Sequence, residues 1–136
     1  MKGTSSGGRA LILVIDRDPY VRALEAWFLQ EAGFSVEFTQ DGLEALERAR
    51  EVHPRIVITE ILVPRLDGLA LCRALKTDPD TRDIAVLVFS MLFAGDRARE
   101  AGADAFLRKP LHEATLLDTV RALLASRRDP SPAESS

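Results

Sequence analysis

The sequence predicts an α/β domain built as a doubly wound, five-stranded parallel sheet with helices on both faces. Two observations carry this. Short apolar runs alternate with segments of helical spacing along nearly the whole chain, the pattern of repeated βαβ units. Several runs, among them Ala10 to Ile15, Ile56 to Ile58 and Ile84 to Phe89, are continuously apolar, as strands covered on both faces must be.

The elements follow in order. Ala10 to Ile15 is the first buried strand, and it ends in acids. Pro19 opens a helix, where its missing N–H costs nothing. Val21, Leu24 and Phe28 mark the expected inner face of that helix, and Trp27 is expected to be partly buried beside Phe28. Gly33 stops the helix. Phe34 to Thr39 alternates and reads as an edge strand. Asp41-Gly42 starts a helix carrying Leu43, Ala45, Leu46 and Ala49. After Pro54, Ile56 to Glu60 is a buried strand ending in an acid. Pro64 to Gly68 forms a loop and Leu69 to Leu75 a helix, with Cys72 in the core. Thr77 to Asp80 turns. Ile84 to Phe89 is a strand ending at Ser90. A short helix from about Ala94 to Ala101 precedes Gly102, and Ala105 to Leu107 is a brief strand before Lys109-Pro110. Leu116, Leu117, Val120, Leu123 and Leu124 line the last helix. Residues 1–9 read as a flexible leader, 10–126 as the folded domain and 127–136 as a disordered tail or linker.

The 136 residues are 46% hydrophobic and 29% charged, enough for one domain with a real core. A net charge of −3 argues against a nucleic-acid surface, which needs a dense basic patch. No apolar run is long enough to span a bilayer. The single cysteine precludes an internal disulfide and suits a reducing cytoplasm. His53 and His112 lack metal-ligand spacing.

In a doubly wound sheet the functional crevice lies at the carboxyl ends of the strands. The polar residues there are Asp16, Arg17, Glu60, Ser90 and Lys109. With Ile12 to Asp16 and Asp18-Pro19, Pro54 through Glu60, Pro64-x-x-Asp67-Gly68, Ala101 to Asp104 and Lys109-Pro110, the chain from about Ala10 to Ser126 resembles the receiver domains of bacterial two-component systems. The resemblance implies the flavodoxin-like fold with strand order 2-1-3-4-5. It also implies a pocket in which an Asp accepts a phosphoryl group, an acidic pair helps hold Mg²⁺, and a Ser/Thr and a Lys complete the site. The carboxylate must attack phosphorus while cations offset the gathered negative charge.

This chain departs from that pattern. Glu60 stands at the phosphoacceptor position, and Arg17 replaces the second acid of the pair; Asp16, Ser90, Phe106 (the switch aromatic) and Lys109 are kept. Two carboxylates against two cations balance without metal, and a guanidinium 4 Å from a divalent ion costs about 4 kcal/mol per charge at an effective dielectric near 20. The longer Glu side chain displaces a nucleophile by about one C–C bond, and misplacement on that scale can cost about 100-fold in rate. Arg17 either pairs with Glu60 in the pocket, the reading favoured here, or extends into solvent over its apolar stem. Met91 stands where the family has a small residue and is expected to crowd the pocket mouth. Ser90 to Gly102 is shorter than in the family by about one helical turn, leaving Met91, Leu92 and Phe93 exposed.

The leading expectation is an atypical receiver, a pseudo-receiver in bacterial signal transduction. It would be non-enzymatic and without cofactor, with weak or absent Mg²⁺ binding. Its partners would be signalling proteins met through the fourth helix, fifth strand and fifth helix, or a second copy of itself, and neither nucleic acid nor membrane. The alternative is a working phosphoacceptor in a phosphorelay, using Glu60 or Asp18. A flavodoxin-like cofactor carrier is disfavoured, because Asp16-Arg17-Asp18 would repel a phosphate more than cradle it.

Overall fold

The computed structural model describes residues 9–128; most of the expected leader and tail lies outside the described residues. The elements run β1 (Leu11–Ile15), α1 (Pro19–Glu31), β2 (Ser35–Thr39), α2 (Gly42–Val52), β3 (Ile56–Thr59), α3 (Gly68–Thr77), β4 (Ala85–Ser90), α4 (Gly95–Glu100), β5 (Ala105–Arg108) and α5 (Glu113–Arg128). The five strands pair in parallel in the order β2-β1-β3-β4-β5.

Successive strand residues point to opposite faces, and both faces are apolar. Leu13, Ile15, Val57, Val86 and Val88 pack with α2, α3 and α4 residues such as Ala45, Leu71, Cys72 and Ala98. Ile12, Val14, Ile56, Ile58, Leu87 and Phe89 pack with Leu29 of α1 and with Leu116 and Val120 of α5. This two-sided burial is the reason for the unbroken apolar runs.

Helix starts follow local chemistry. Asp18, Asp41 and Asp67 each cap a helix, accepting from the amides of Tyr20, Glu44 and Ala70, which satisfies donors a helix start would otherwise leave free. Gly33 ends the α1 turn at φ +99°, a conformation that favours glycine. The α4 helix is short, at six residues. The α5 helix continues to Arg128, past the boundary read from sequence.

The orientation of α1 corrects the sequence reading. Its buried residues are Glu25, Ala26 and Leu29. Val21 and Phe28 sit half-buried at the flank, while Leu24 is 47% and Trp27 62% exposed. This helix carries apolar residues on both sides, so spacing alone could not say which side meets the sheet; packing against β2 and α5 chose the side with the carboxylate.

Candidate functional site

The carboxyl ends of β1, β3, β4 and β5 bring Asp16, Glu60, Ser90 and Lys109 together. Asp16, Glu60 and Ser90 are all buried. Their placement is set by the sheet: the Glu60 amide donates to the Ile15 carbonyl at 3.0 Å and the Lys109 amide to the Ser90 carbonyl at 2.9 Å. Gly68 packs directly under the Glu60 carbonyl, where a Cβ would collide with it.

Lys109 is the hub. Its Nζ lies 2.9 Å from Asp16 Oδ2 and 3.1 Å from Glu60 Oε2. The other carboxylate oxygens are also engaged. Asp16 Oδ1 accepts from the Asp18 amide at 2.9 Å, and Glu60 Oε1 accepts from the Ile61 amide at 2.6 Å and the Leu62 amide at 3.4 Å. Burial works to raise the Glu60 pKa, but Ser90, Lys109 and the Ile61 amide outweigh it and hold the carboxyl below its ordinary value. Burial likewise works against charged Lys109, and hydrogen bonds to Asp16 and Glu60 outweigh it, raising the ammonium's pKa. Both groups are therefore charged near neutrality. The Ser90 Oγ accepts from the Leu92 amide at 3.2 Å. Phe106 is half-buried on β5 against the α4 side of the core, beside Gly95.

Arg17 does not share this pocket. Its side chain is exposed, and the ion pairs described for Asp16 and Glu60 both run to Lys109. The expected Arg17–Glu60 pair is thus corrected. Arg17 follows the last strand residue by two positions, where the chain is already turning toward the Asp18 cap and solvent, and Lys109 reaches the carboxylates from inside the sheet. Asp18 is exposed and spent on capping α1. Met91 and Phe93 are exposed as expected, whereas Leu92 is half-buried against the core.

Two residues escaped the sequence reading. Glu25 on α1 is 1% exposed, and its Oε1 has no hydrogen-bond partner among the described residues. Burial, then the charges of Asp16 and Glu60, against the opposing pull of Lys109, push its pKa up to about 8. A Glu between Leu24 and Ala26 on a helix with two apolar sides carries no signal of burial. Arg108 is the second. Its Nε and Nη2 donate to the Met91 carbonyl at 3.2 and 2.9 Å, and its guanidinium lies 3.5 Å from the centre of the Phe93 ring. The Arg108 side chain thereby ties β5 to the loop after β4. Its partners are 15 to 17 positions away, too far for any local pattern to show.

The geometry agrees with what the chain is similar to. The model of the response regulator receiver domain matches residues 12–121. Response regulator MprA of Mycobacterium leprae (strain TN) is 39% identical over 130 residues, covering 91% of this chain and 55% of that protein. Response regulator MprA of Mycobacterium sp. (strain KMS) is 42% identical over 119 residues, covering 83% and 50%. The chain thus spans about half the length of these relatives. Among solved structures, the signal receiver domain of a signal transduction histidine kinase from Syntrophus aciditrophicus superposes with a TM-score of 0.82 at 32% identity, covering 89% of this chain and 94% of that one. A putative response regulator from Chloroflexus aurantiacus J-10-fl gives 0.83 at 29% identity, covering 86% and 98%. The chain belongs to the response regulator receiver domain family.

Proposed function

We propose that this receiver signals through protein contacts in one fixed arrangement, without phosphoryl transfer. The observation that carries this reading is the Lys109 bridge, 2.9 Å to Asp16 and 3.1 Å to Glu60. In the family the corresponding Lys serves a phosphoryl group. Here it is engaged with Glu60, whose carboxylate stands one methylene further out than the family's Asp, toward the space a phosphoryl group would take, and Ser90 acts on the same carboxylate.

The donor set does not fit a divalent ion. Arg17 stands in place of the second acid, Asp18 is turned to its capping role, and the Asp16 and Glu60 oxygens are already engaged by Lys109 and backbone amides. Among the described residues no group of three or more His, Cys, Asp or Glu is arranged to hold a metal. Output would then run through the face of α4, β5 and α5, where exposed Met91 and Phe93 are organised by Arg108.

The test is intact mass after incubation with acetyl phosphate and Mg²⁺, beside amide shifts during a Mg²⁺ titration. An unmodified mass and no saturating shift at Asp16 and Glu60 are expected. A stable phosphoryl gain that Glu60→Ala abolishes would establish a working phosphoacceptor instead.

A further inference from the structure

The outward side of α1 is apolar where a surface helix is normally polar. Tyr20 is 81%, Leu24 47% and Trp27 62% exposed, and Ala23 is exposed with them. Positions 20, 23, 24 and 27 follow the i, i+3, i+4, i+7 template of a buried stripe, yet the core side of this helix is the opposite one, with Glu25, Ala26 and Leu29. A contiguous apolar face of this kind marks a contact surface. It is distinct from the α4–β5–α5 face: α1 packs against β2 and one side of α5 and has no comparable packing with α4 or β5.

We infer that this face binds a second copy of the chain, α1 against α1, antiparallel about a two-fold axis between Ala23 and Leu24. A two-fold contact must be self-complementary, and this ridge is so in size and in charge. The axis sets Tyr20 against the partner's Trp27, an aromatic pair. It sets Leu24 against the partner's Ala23, a large residue over a small one. Exposed Arg17, before the helix start, falls beside Gln30 and Glu31 of the partner subunit, and Glu31 is exposed at the helix end. Antiparallel packing also sets the positive end of each α1 dipole beside the negative end of the other. Tyr20, Trp27 and Leu24 still expose 81%, 62% and 47% of their surface; with complete burial of an aromatic covering about 150–250 Å², the contact falls somewhat below the limit of about 1,000 Å² for a stable interface. The dimer is accordingly weak, at the low end of the size range for specific interfaces.

Sedimentation equilibrium, with Trp27 emission followed from about 1 μM to 1 mM, tests this on the full chain. The expected result is a monomer–dimer equilibrium in which emission shifts to the blue as dimer forms. Leu24→Glu and Trp27→Ala should each weaken association by at least about tenfold, with circular dichroism unchanged because both side chains are exposed. Glu31→Arg should weaken it, and adding Arg17→Glu should restore it. Phe93→Ala, on the other face, should leave it unchanged. A monomer throughout the range overturns the inference. So does a dimer that survives Leu24→Glu, or one that Phe93→Ala abolishes.

Discussion

The Lys109 ammonium lies 3.1 Å from the Glu60 carboxylate, across the gap between the ends of β3 and β5, with β4 and its Ser90 lying between them in the sheet. Opposite charges held this close and shielded from water belong to a preset arrangement, because separating them would leave each buried alone. The same contact governs how the site responds to mutation and pH.

Lys109→Met should therefore be costly. It leaves Asp16 and Glu60 buried without their cation, and breaking a buried pair in this way costs about 3–5 kcal/mol. Urea unfolding at neutral pH is the measurement. Adding Glu60→Gln to Lys109→Met should recover part of the loss, since one of the two stranded charges is removed. No recovery would mean that the cost of Lys109→Met lies in packing.

Glu25 should make the protein less stable in alkali. Its folded pKa of about 8 is above its ordinary 4.5, so the folded state holds a proton that the unfolded state has released between those values. The contribution is fully present below about pH 4.5 and falls as pH rises through 8. A shift of this direction and size is worth several kcal/mol, at about 1.36 kcal/mol per unit. Glu25→Leu should flatten the decline between pH 5 and pH 9 in urea titrations and stabilise most at the alkaline end. A wild-type curve that does not fall across this range would show Glu25 ionised at little cost.

The Glu60 carboxyl has the opposite sign. Its folded pKa is held below the ordinary value, so its contribution is present above the unfolded pKa and is lost as pH falls through the folded one. Glu60→Gln should remove that acid-side loss, read from the same titrations below pH 5. An unchanged acid limb in Glu60→Gln would place the loss at another carboxylate.

Arg17→Ala should change stability by less than about 0.5 kcal/mol, as expected of an exposed side chain outside the core. Arg17→Asp with Glu60→Asp is the informative pair. Together they supply a second acid and shorten the carboxylate away from Lys109, and Mg²⁺-dependent amide shifts at Asp16 should emerge in the double variant. Equal shifts with Glu60→Asp alone would remove Arg17 from the account.

Arg108→Ala should cost about 1 kcal/mol, the scale of an exposed cation–π contact together with a hydrogen bond. Amide exchange should quicken at 91–94, the segment that Arg108 holds through the Met91 carbonyl and the Phe93 ring. Unchanged exchange there would show the loop held by Leu92 and Ala94 in the core.

The sheet, its two-sided burial and the membership of Asp16, Glu60, Ser90 and Lys109 in one pocket were legible from sequence. They rest on periodicity, on helix caps and on polar residues at strand ends, all of which are local signals, and the resemblance supplied the strand order. The tertiary structure decided which cation serves the carboxylates and which side of α1 is inside. Arg17 is adjacent to Asp16 in sequence but turns outward with the chain, whereas Lys109, 93 positions away from Asp16, is delivered by the β5 end. The α1 segment is apolar on both sides, so its own spacing permitted either orientation. Packing on β2 and α5 put Glu25 inside and left Tyr20, Leu24 and Trp27 in solvent, because side-chain burial depends on what the neighbouring elements present, and α5 is distant in the chain.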